Sequence, residues 1–537
     1  MRHMSSPSVI ETEVLVIGSG IAGLSFALKM ASTASVLVIT KKESATSNTN
    51  HAKGGIAAAL GQDDSPDLHV RDTMATGAGL SRREAVEVLA TEGPDRVREL
   101  AGWGTEFDRT GESLSLAMEG GHSRRRIAHT RDATGRAIES ALIRAVRDSP
   151  NVEVLEDHVA VDLLMAVQPG SGARRCMGAM VLDHHGDRLL EVRARGTLLA
   201  SGGCGQVYLH TTNPGIATGD GVAMAHRAGA RVGNMEFVQF HPTALYPTED
   251  PAFLISETVR GEGAILRRLD GVPIMDGYDP RGSLAPRDVV ARAIDAELRK
   301  RGEDHAVLDV SAIPPEMFAS RFPSTLEGCQ DRGIDPVRDG IPVVPAAHYA
   351  CGGVFTDCDA RTSLAGLYAV GEVACTGVHG ANRLPSNSLL EAVVFSHRAA
   401  LALTEELMSD LPSDLVDEPS REATGGGRPP ESIAEARRNL RSLMWELVGI
   451  VRTDARLEEA ERELSRLADE NGGCTLSPCN TTAAIEFRNL IECALLIVRC
   501  AMWRKESRGL HFNSDHPDVD DRRFLTDSVA VGMIEAT

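Results

Sequence analysis

The run Val14-Leu15-Val16-Ile17 passes without a spacer into Gly18-Ser19-Gly20-Ile21-Ala22-Gly23. A short apolar run of this kind reads as a buried parallel strand. Glycines spaced G-x-G-x-x-G behind it suit a strand-to-helix turn that must approach a pyrophosphate. The first makes the turn, the second admits the phosphates, and the third lets the helix pack on the strand. Free N–H groups and the dipole at the helix start then favour the anion. Leu24 to Ala31 reads as that helix and Ser35 to Thr40 as the next strand, so a β-α-β unit opens the chain. An acidic residue commonly follows about 20 residues on to hold a ribose. Thr40 or Lys41 stands there instead, which points to hydroxyls and backbone at that end of a dinucleotide.

The alternation continues. Helices are expected near Glu84–Leu100 and Ala133–Ala145, and strands near Val152–Leu155, Ala179–Leu182 and Gly196–Ala200. That order argues for an α/β architecture. Further glycine-rich turns close strands or open helices at Ala200 to Gly205, Thr218 to Gly221, and Gly371-Glu372. Open α/β sheets bind ligands at such strand ends, so one large cofactor is favoured over unrelated turns. Ser386-Asn387-Ser388 reads as a helix cap before Leu389–Leu401. The 537 residues exceed one domain of about 150 residues several-fold. The expected division is a nucleotide-binding part at 1–245 and an inserted domain at 246–345. A return to the first part at 346–410, a Pro/Gly-rich linker at 411–430 and a helical domain at 431–537 follow.

With 76 acidic and 56 basic residues the chain carries a net charge of -20, which speaks against nucleic acid and anionic membrane as partners. The start of the chain has no secretory pattern and no apolar run reaches 18 residues, so a cytoplasmic protein without a membrane span is expected. The ten cysteines are scattered without metal-ligand spacing. Free thiols in a reducing compartment are expected, with Cys474 and Cys479 as an alternative redox pair.

Several segments together carry a family likeness. They are Gly18–Gly23, Ala52–Ala58, Glu119-Gly120-Gly121-His122-Ser123, Gln239-Phe240-His241-Pro242-Thr243, Glu257–Ala264, Pro286–Arg292, Ala347-His348-Tyr349 and Gly380-Ala381-Asn382-Arg383. On these the chain resembles the flavoprotein superfamily of succinate dehydrogenase and fumarate reductase, and within it the aspartate-oxidising family. The resemblance implies a split Rossmann-like FAD-binding domain, an inserted α+β capping domain and a C-terminal helical bundle. It implies FAD contacts at Gly18, Ser19, Gly20, Ala22, Gly23, Lys41, Asn48, Thr49, Lys53, Gly54, Gly55, Asp220, Glu372, Asn387, Ser388 and Leu389. Asn48 occupies the register of the histidine that holds FAD covalently in membrane-complex members, so non-covalent FAD is expected. Lys53 replaces a glutamine usual in the family.

The reaction so implied moves a hydride from Cα of L-aspartate to flavin N5 and yields iminoaspartate. Re-oxidation by O2 or fumarate and delivery to quinolinate synthase for NAD synthesis are part of the same implication. A substrate with two carboxylates needs fixed cations, and Arg forks supply two-point contacts. His241, His348 and Arg383 match the family's carboxylate ligands, and Arg287 its catalytic arginine. Ser256 matches a substrate-contacting hydroxyl position, and Gln239 is expected in the same pocket. Glu119 is expected to meet the ammonium that separates aspartate from succinate. Arg287 is a poor general base, because a guanidinium holds its proton in proteins, so orientation and charge are its expected work. The other enzyme reading is a soluble fumarate reductase or a succinate dehydrogenase-type flavoprotein subunit. An electron-transfer subunit and a flavin-binding module without turnover also stand as alternatives.

Overall fold

A computed structural model describes residues 8–184, 188–411, 414–418, 433–471 and 481–531. The first β-α-β unit forms as strand β1 (Ser8–Ile17), helix α1 (Ile21–Met30) and strand β2 (Val36–Ile39). Val14, Leu15 and Val16 are fully buried. Each such side chain contributes roughly 1.5–3 kcal/mol over its exposed state, which fixes β1 in the middle of the sheet. Later strands of that sheet are β3 (Val152–Leu155), β4 (His158–Val167), β5 (Arg174–Asp183), β6 (Arg188–Leu199) and β11 (Leu367–Ala369). The order runs β4-β5-β6-β1-β2-β3, with β11 joined to β6. The core pairings of β1 with β2 and β6, β2 with β3, and β6 with β11 are parallel. Strands β4 and β5 attach as an antiparallel pair. All the parallel strands therefore end on one side of the sheet, where ligands bind in open α/β folds.

A second, antiparallel sheet is ordered β7-β10-β9-β8, from β7 (Val238–Leu245), β8 (Ile265–Arg267), β9 (Ala306–Asp309) and β10 (Ile341–Ala350). It has its own apolar cluster, running from Leu245 through Ile294 and Phe318 to Val343. Strands β7 and β10 run from one apolar cluster to the other, with Val238 and Ala350 in the main-sheet cluster and Leu245 and Val343 in the second, so His241 on β7 and His348 on β10 lie between the two. Helix α6 (Arg287–Arg301) starts on Pro286, which places Arg287 at its first turn.

Helix α7 (Asn387–Leu407) begins two residues before the expected Leu389. Ser386 holds the cap position with φ of 61° but makes no side-chain cap bond. Its hydroxyl is diverted to Glu119 instead. Within the expected linker, Val416–Asp417 (β12) pair antiparallel with β4 at the sheet edge. The stretch 419–432 and both Cys474 and Cys479 lie outside the described residues. The helical periodicity after the linker resolves into α8 (Ile433–Leu447) and α9 (Asp454–Asn471), with α10 (Thr482–Trp503) beyond. These helices bury Leu440, Met444, Leu457 and Leu490 in the same cluster as Leu15 and Leu37 of the main sheet. Among the described residues no helix is long and apolar enough to cross a membrane.

Candidate active site

One long cleft runs from the end of β1 to the contact between the two sheets. At its outer end Gly18 has φ of +115°, and a Cβ there would sit 2.3 Å from the Ala200 carbonyl oxygen. Only glycine fits. A Cβ on Gly23 would overlap the Gly18 carbonyl at 2.0 Å, so this third glycine lets α1 close on the turn. Gly20 caps α1 without a side-chain bond; the Ile21 N–H donates to Thr49 Oγ1 at 3.1 Å, and the helix start beyond it suits an anion. Thr40 and Ser19 join their hydroxyls at 2.9 Å beside it.

Lys41 and Asp220 line the cleft, but their charges are already matched. The Lys41 amine donates to Thr218 Oγ1 and Asp220 Oδ2, both at 2.7 Å, and pairs with Glu486 Oε1 at 2.8 Å. An ammonium has three donors, and all three are spent. Lys41 thus stands at the cleft wall, as expected of a cofactor-binding position, with its amine engaged by the protein. The Asp220 carboxyl is held below its usual range: burial pushes it up, and Lys41 outweighs that.

Farther in, Glu372 accepts from the Ala350 N–H at 3.0 Å and from Asn48 Nδ2 at 3.1 Å. Burial pushes its carboxyl up to about 7. Asn48 Oδ1 is buried with no partner, an acceptor left for a bound polar group. Thr49, Gly54, Gly55, Ser388 and Leu389 line the same wall. The helix start, the glycine turn and the orphaned Asn48 oxygen fit the FAD implied by the sequence. Lys53 also borders the cleft, yet its buried ammonium has no hydrogen-bond partner and sits 3.2 Å from the centroid of the Phe253 ring. Burial lowers it to about 8. It is turned onto that ring, which accounts for a cation where an amide is usual.

At the inner end lie His241, Ser256, Glu257, Arg287, His348, Arg383, Glu119 and Ser386. Arg287 donates Nε to Glu257 Oε2 at 2.5 Å and one terminal N–H to Gln239 Oε1 at 2.9 Å. Arg383 donates to the same Gln239 oxygen at 2.8 Å and to Ser388 Oγ at 2.8 Å. One amide oxygen thus gathers both guanidinium groups. Gln239 itself is fully buried behind the wall rather than facing the cleft. That corrects its expected substrate contact: its Oε1 is occupied by the two arginines, and its Nε2 by Asn382 and the Arg383 carbonyl. Asn387 is displaced in the same way, holding His69 Nε2 at 2.8 Å and Thr73 at 3.0 Å.

Burial and the nearby arginines hold both His241 and His348 well below their usual range. They are neutral donors at pH 7, so the arginines alone supply positive charge. The His241 Nδ1 accepts the Thr243 N–H at 3.2 Å, which leaves the ring proton on Nε2. Glu119 is raised to about 7, first by burial and then by Glu257, against the pull of Arg287. Ser386 donates to it at 2.5 Å. A Cβ on Gly54 would lie 2.8 Å from its other oxygen. Ser256 caps the short helix α5 (Glu257–Gly261) and shares a 2.7 Å hydroxyl contact with Thr258.

Three features of the site were not foreseen. Glu257 bridges Arg287 and Arg260, the latter at 3.5 Å. Ser386 holds Glu119. Tyr349 lies under Arg383 with the guanidinium carbon 4.3 Å from its ring centroid. In sequence Glu257 reads as an ordinary first-turn acid of a helix, and only its contact with Arg287 gives it away.

Residues 13–389 match the family described as FAD binding domain, and residues 437–536 match the fumarate reductase flavoprotein C-terminal family. The chain is 47% identical over 533 residues to L-aspartate oxidase 2-b of Nicotiana tabacum, covering 95% of this chain and 82% of that one. It is 45% identical over 519 residues to L-aspartate oxidase of Pseudomonas aeruginosa, covering 94% and 96%. Among solved structures it is similar to E. coli quinol fumarate reductase, with a TM-score of 0.87 at 29% identity, covering 99% of this chain and 98% of that one.

Proposed function

This chain belongs to the L-aspartate oxidase family, within the FAD-dependent flavoproteins of the fumarate reductase type, and from that premise we propose how its site works. The enzyme oxidises L-aspartate to iminoaspartate. FAD, when bound, supplies the acceptor for the Cα hydride. The Gly18–Gly20 turn, Thr49, Gly54, Gly55, Asn48 and Ser388 would hold it, and Glu372 would steady Asn48. The attachment is non-covalent, since the amide of Asn48 stands where a nucleophilic imidazole would be needed.

The observation that carries the reading is the inner pocket: two arginines gathered on Gln239, with the buried carboxylate of Glu119 beside them. Arg383 takes one substrate carboxylate in a forked contact, with Nε2–H of His241 and the His348 ring as neutral donors. Arg287, held by Glu257, orients the substrate and offsets charge near the reacting carbon. Glu119 receives the ammonium and accepts the proton that must leave before a C=N bond can form. A carboxyl near 7 suits both tasks near neutral pH.

O2 or fumarate as the acceptor, and passage of iminoaspartate to quinolinate synthase, rest on the family resemblance. Free thiols at all eight described cysteines support a reducing compartment such as the cytoplasm. A fumarate-reducing or succinate-oxidising flavoprotein is the second reading, favoured by the likeness to quinol fumarate reductase. Anaerobic mixing separates the two. L-Aspartate is expected to bleach the yellow flavin spectrum and succinate to leave it. The reverse result would overturn the first reading.

A further inference from the structure

Arg287 and Arg383 share Gln239 but differ in what else holds them. Arg287 is paired with the carboxylate of Glu257. Arg383 has only neutral hydrogen-bond partners among the described residues: Gln239 Oε1, Ser388 Oγ and the face of the Tyr349 ring. Its Nε is buried and unpartnered. A cation held by neutral groups keeps its charge for a ligand, whereas one held by a carboxylate has part of that charge cancelled. The ring is itself anchored. The Tyr349 hydroxyl donates to Glu391 Oε2 at 3.1 Å and lies 3.2 Å from His379 Nε2. Glu391 is fully buried and also accepts from Thr376 at 2.5 Å and from His379 at 2.9 Å. Burial and the nearby Glu391 and Glu372 keep the phenol protonated, well above its usual range, so it remains a donor. A phenol donating to a carboxylate has a more electron-rich ring, which strengthens its hold on a cation over the face.

We propose that Tyr349, anchored by Glu391, is the positioning residue that fixes the plane of the Arg383 guanidinium for a substrate carboxylate. It acts through Arg383 and does not itself bind substrate. The proposal rests on the dicarboxylate reading of the pocket.

The test uses the full-length, FAD-loaded enzyme and two probes. Succinate affinity is read from perturbation of the flavin spectrum, and KM and kcat are measured for L-aspartate. Tyr349→Leu is expected to weaken succinate and raise KM by about 30-fold, the loss of a desolvated cation–π contact. The kcat of the substrate-saturated enzyme is expected to fall less than threefold. Tyr349→Phe keeps the ring and is expected to restore all but about threefold of the loss. In an Arg383→Leu background, Tyr349→Leu is expected to change succinate affinity less than twofold, since the group it positions is gone.

A loss of equal size in both backgrounds would overturn the proposal, as would a Tyr349→Phe variant no better than Tyr349→Leu. Should Tyr349→Leu not fold, Tyr349→Phe and Glu391→Gln carry the test. A threefold weakening that vanishes in the Arg383→Leu background supports it, and an unchanged affinity overturns it. Wild-type enzyme that binds neither succinate nor L-aspartate would overturn the dicarboxylate reading along with it. Normal wild-type binding with uncoupled variants would overturn the positioning role alone.

Discussion

Replacing Glu119 by glutamine isolates the feature that separates an amino acid from a plain dicarboxylate. Arg287 and Arg383 line the inner pocket, Arg260 lies buried behind it, and all three are set around Glu257, which is held ionised by the arginines. That leaves two positive charges when Glu119 is protonated. Succinate, with two carboxylates, neutralises the pocket in that state. L-Aspartate brings one net negative charge, and the pocket is then neutral only with Glu119 ionised. Glutamine keeps the shape and the partner for Ser386, but it cannot supply the charge. A charged hydrogen bond of this kind is worth about 1.5–3 kcal/mol, so kcat/KM for L-aspartate should fall roughly 10- to 150-fold. Succinate affinity should stay within about threefold. The pH dependence adds a sign. Glu119 is raised to about 7, and the ammonium needs the ionised form. The kcat/KM of the wild type should therefore rise as pH increases through about 7 and level off above it, and the variant should lack that limb. The assay is anaerobic stopped-flow reduction of the flavin, with succinate titration in parallel. A variant within threefold of wild type on L-aspartate, or one that loses both ligands equally, would refute the reasoning.

Three other perturbations follow from the same geometry. Arg287→Leu should lower turnover by about a thousandfold, the scale of losing a group aimed at transition-state charge. The flavin absorbance should remain; a normal kcat would remove Arg287 from the reacting group. Gly18→Ala forces a Cβ to 2.3 Å from the Ala200 oxygen at φ of +115°, so the purified protein should lose FAD, measured as flavin per chain. Glu139 is buried against Ser47 and raised to about 8. The unfolded carboxyl releases its proton near 4.5 and the folded one near 8, so this group makes stability fall as pH climbs between those values. Glu139→Gln should remove that fall and gain at most about 3 kcal/mol at pH 7, checked by denaturant titration at several pH values.

The opening strand, turn and helix were legible because their signals are local: an apolar run, three glycines and a helix within twenty residues. Strand order was not, since the pairing of β6 with β1 joins residues over 180 positions apart. Lys41 shows the same limit at the site. Its partner Glu486 sits on α10, and nothing near Lys41 in sequence announces that its amine is spent. Gln239 and His241 are two apart on one strand and were expected to face the pocket together. The pairing of β7 with β10 shifts register there, with His348 as the extra residue on β10 between the partners of Gln239 and Phe240. His241 reaches the cleft while Gln239 stays behind it. Family registry named side chains that the structure gathers in one cleft, but the partners that orient them appear only where distant segments meet.

Those partners decide what the net charge of -20 can mean for a dicarboxylate. Charges on the surface are screened beyond about 8 Å at physiological salt, so an acidic exterior acts weakly on a small anion entering the cleft. Inside, each charge counts for more. There the protein does not simply accumulate cations. It neutralises the two histidines by burial beside arginines, ties Arg287 to Glu257, and leaves Arg383 on neutral supports. The result is a graded set: one arginine free for a carboxylate, one partly balanced near the reacting carbon, and one carboxyl poised to change its charge with the ligand. A pocket of unmodulated arginines would hold succinate as readily as L-aspartate. On the proposed reading discrimination therefore lies in Glu119 and in the groups that set its environment, which are Ser386, Glu257 and the close approach of Gly54.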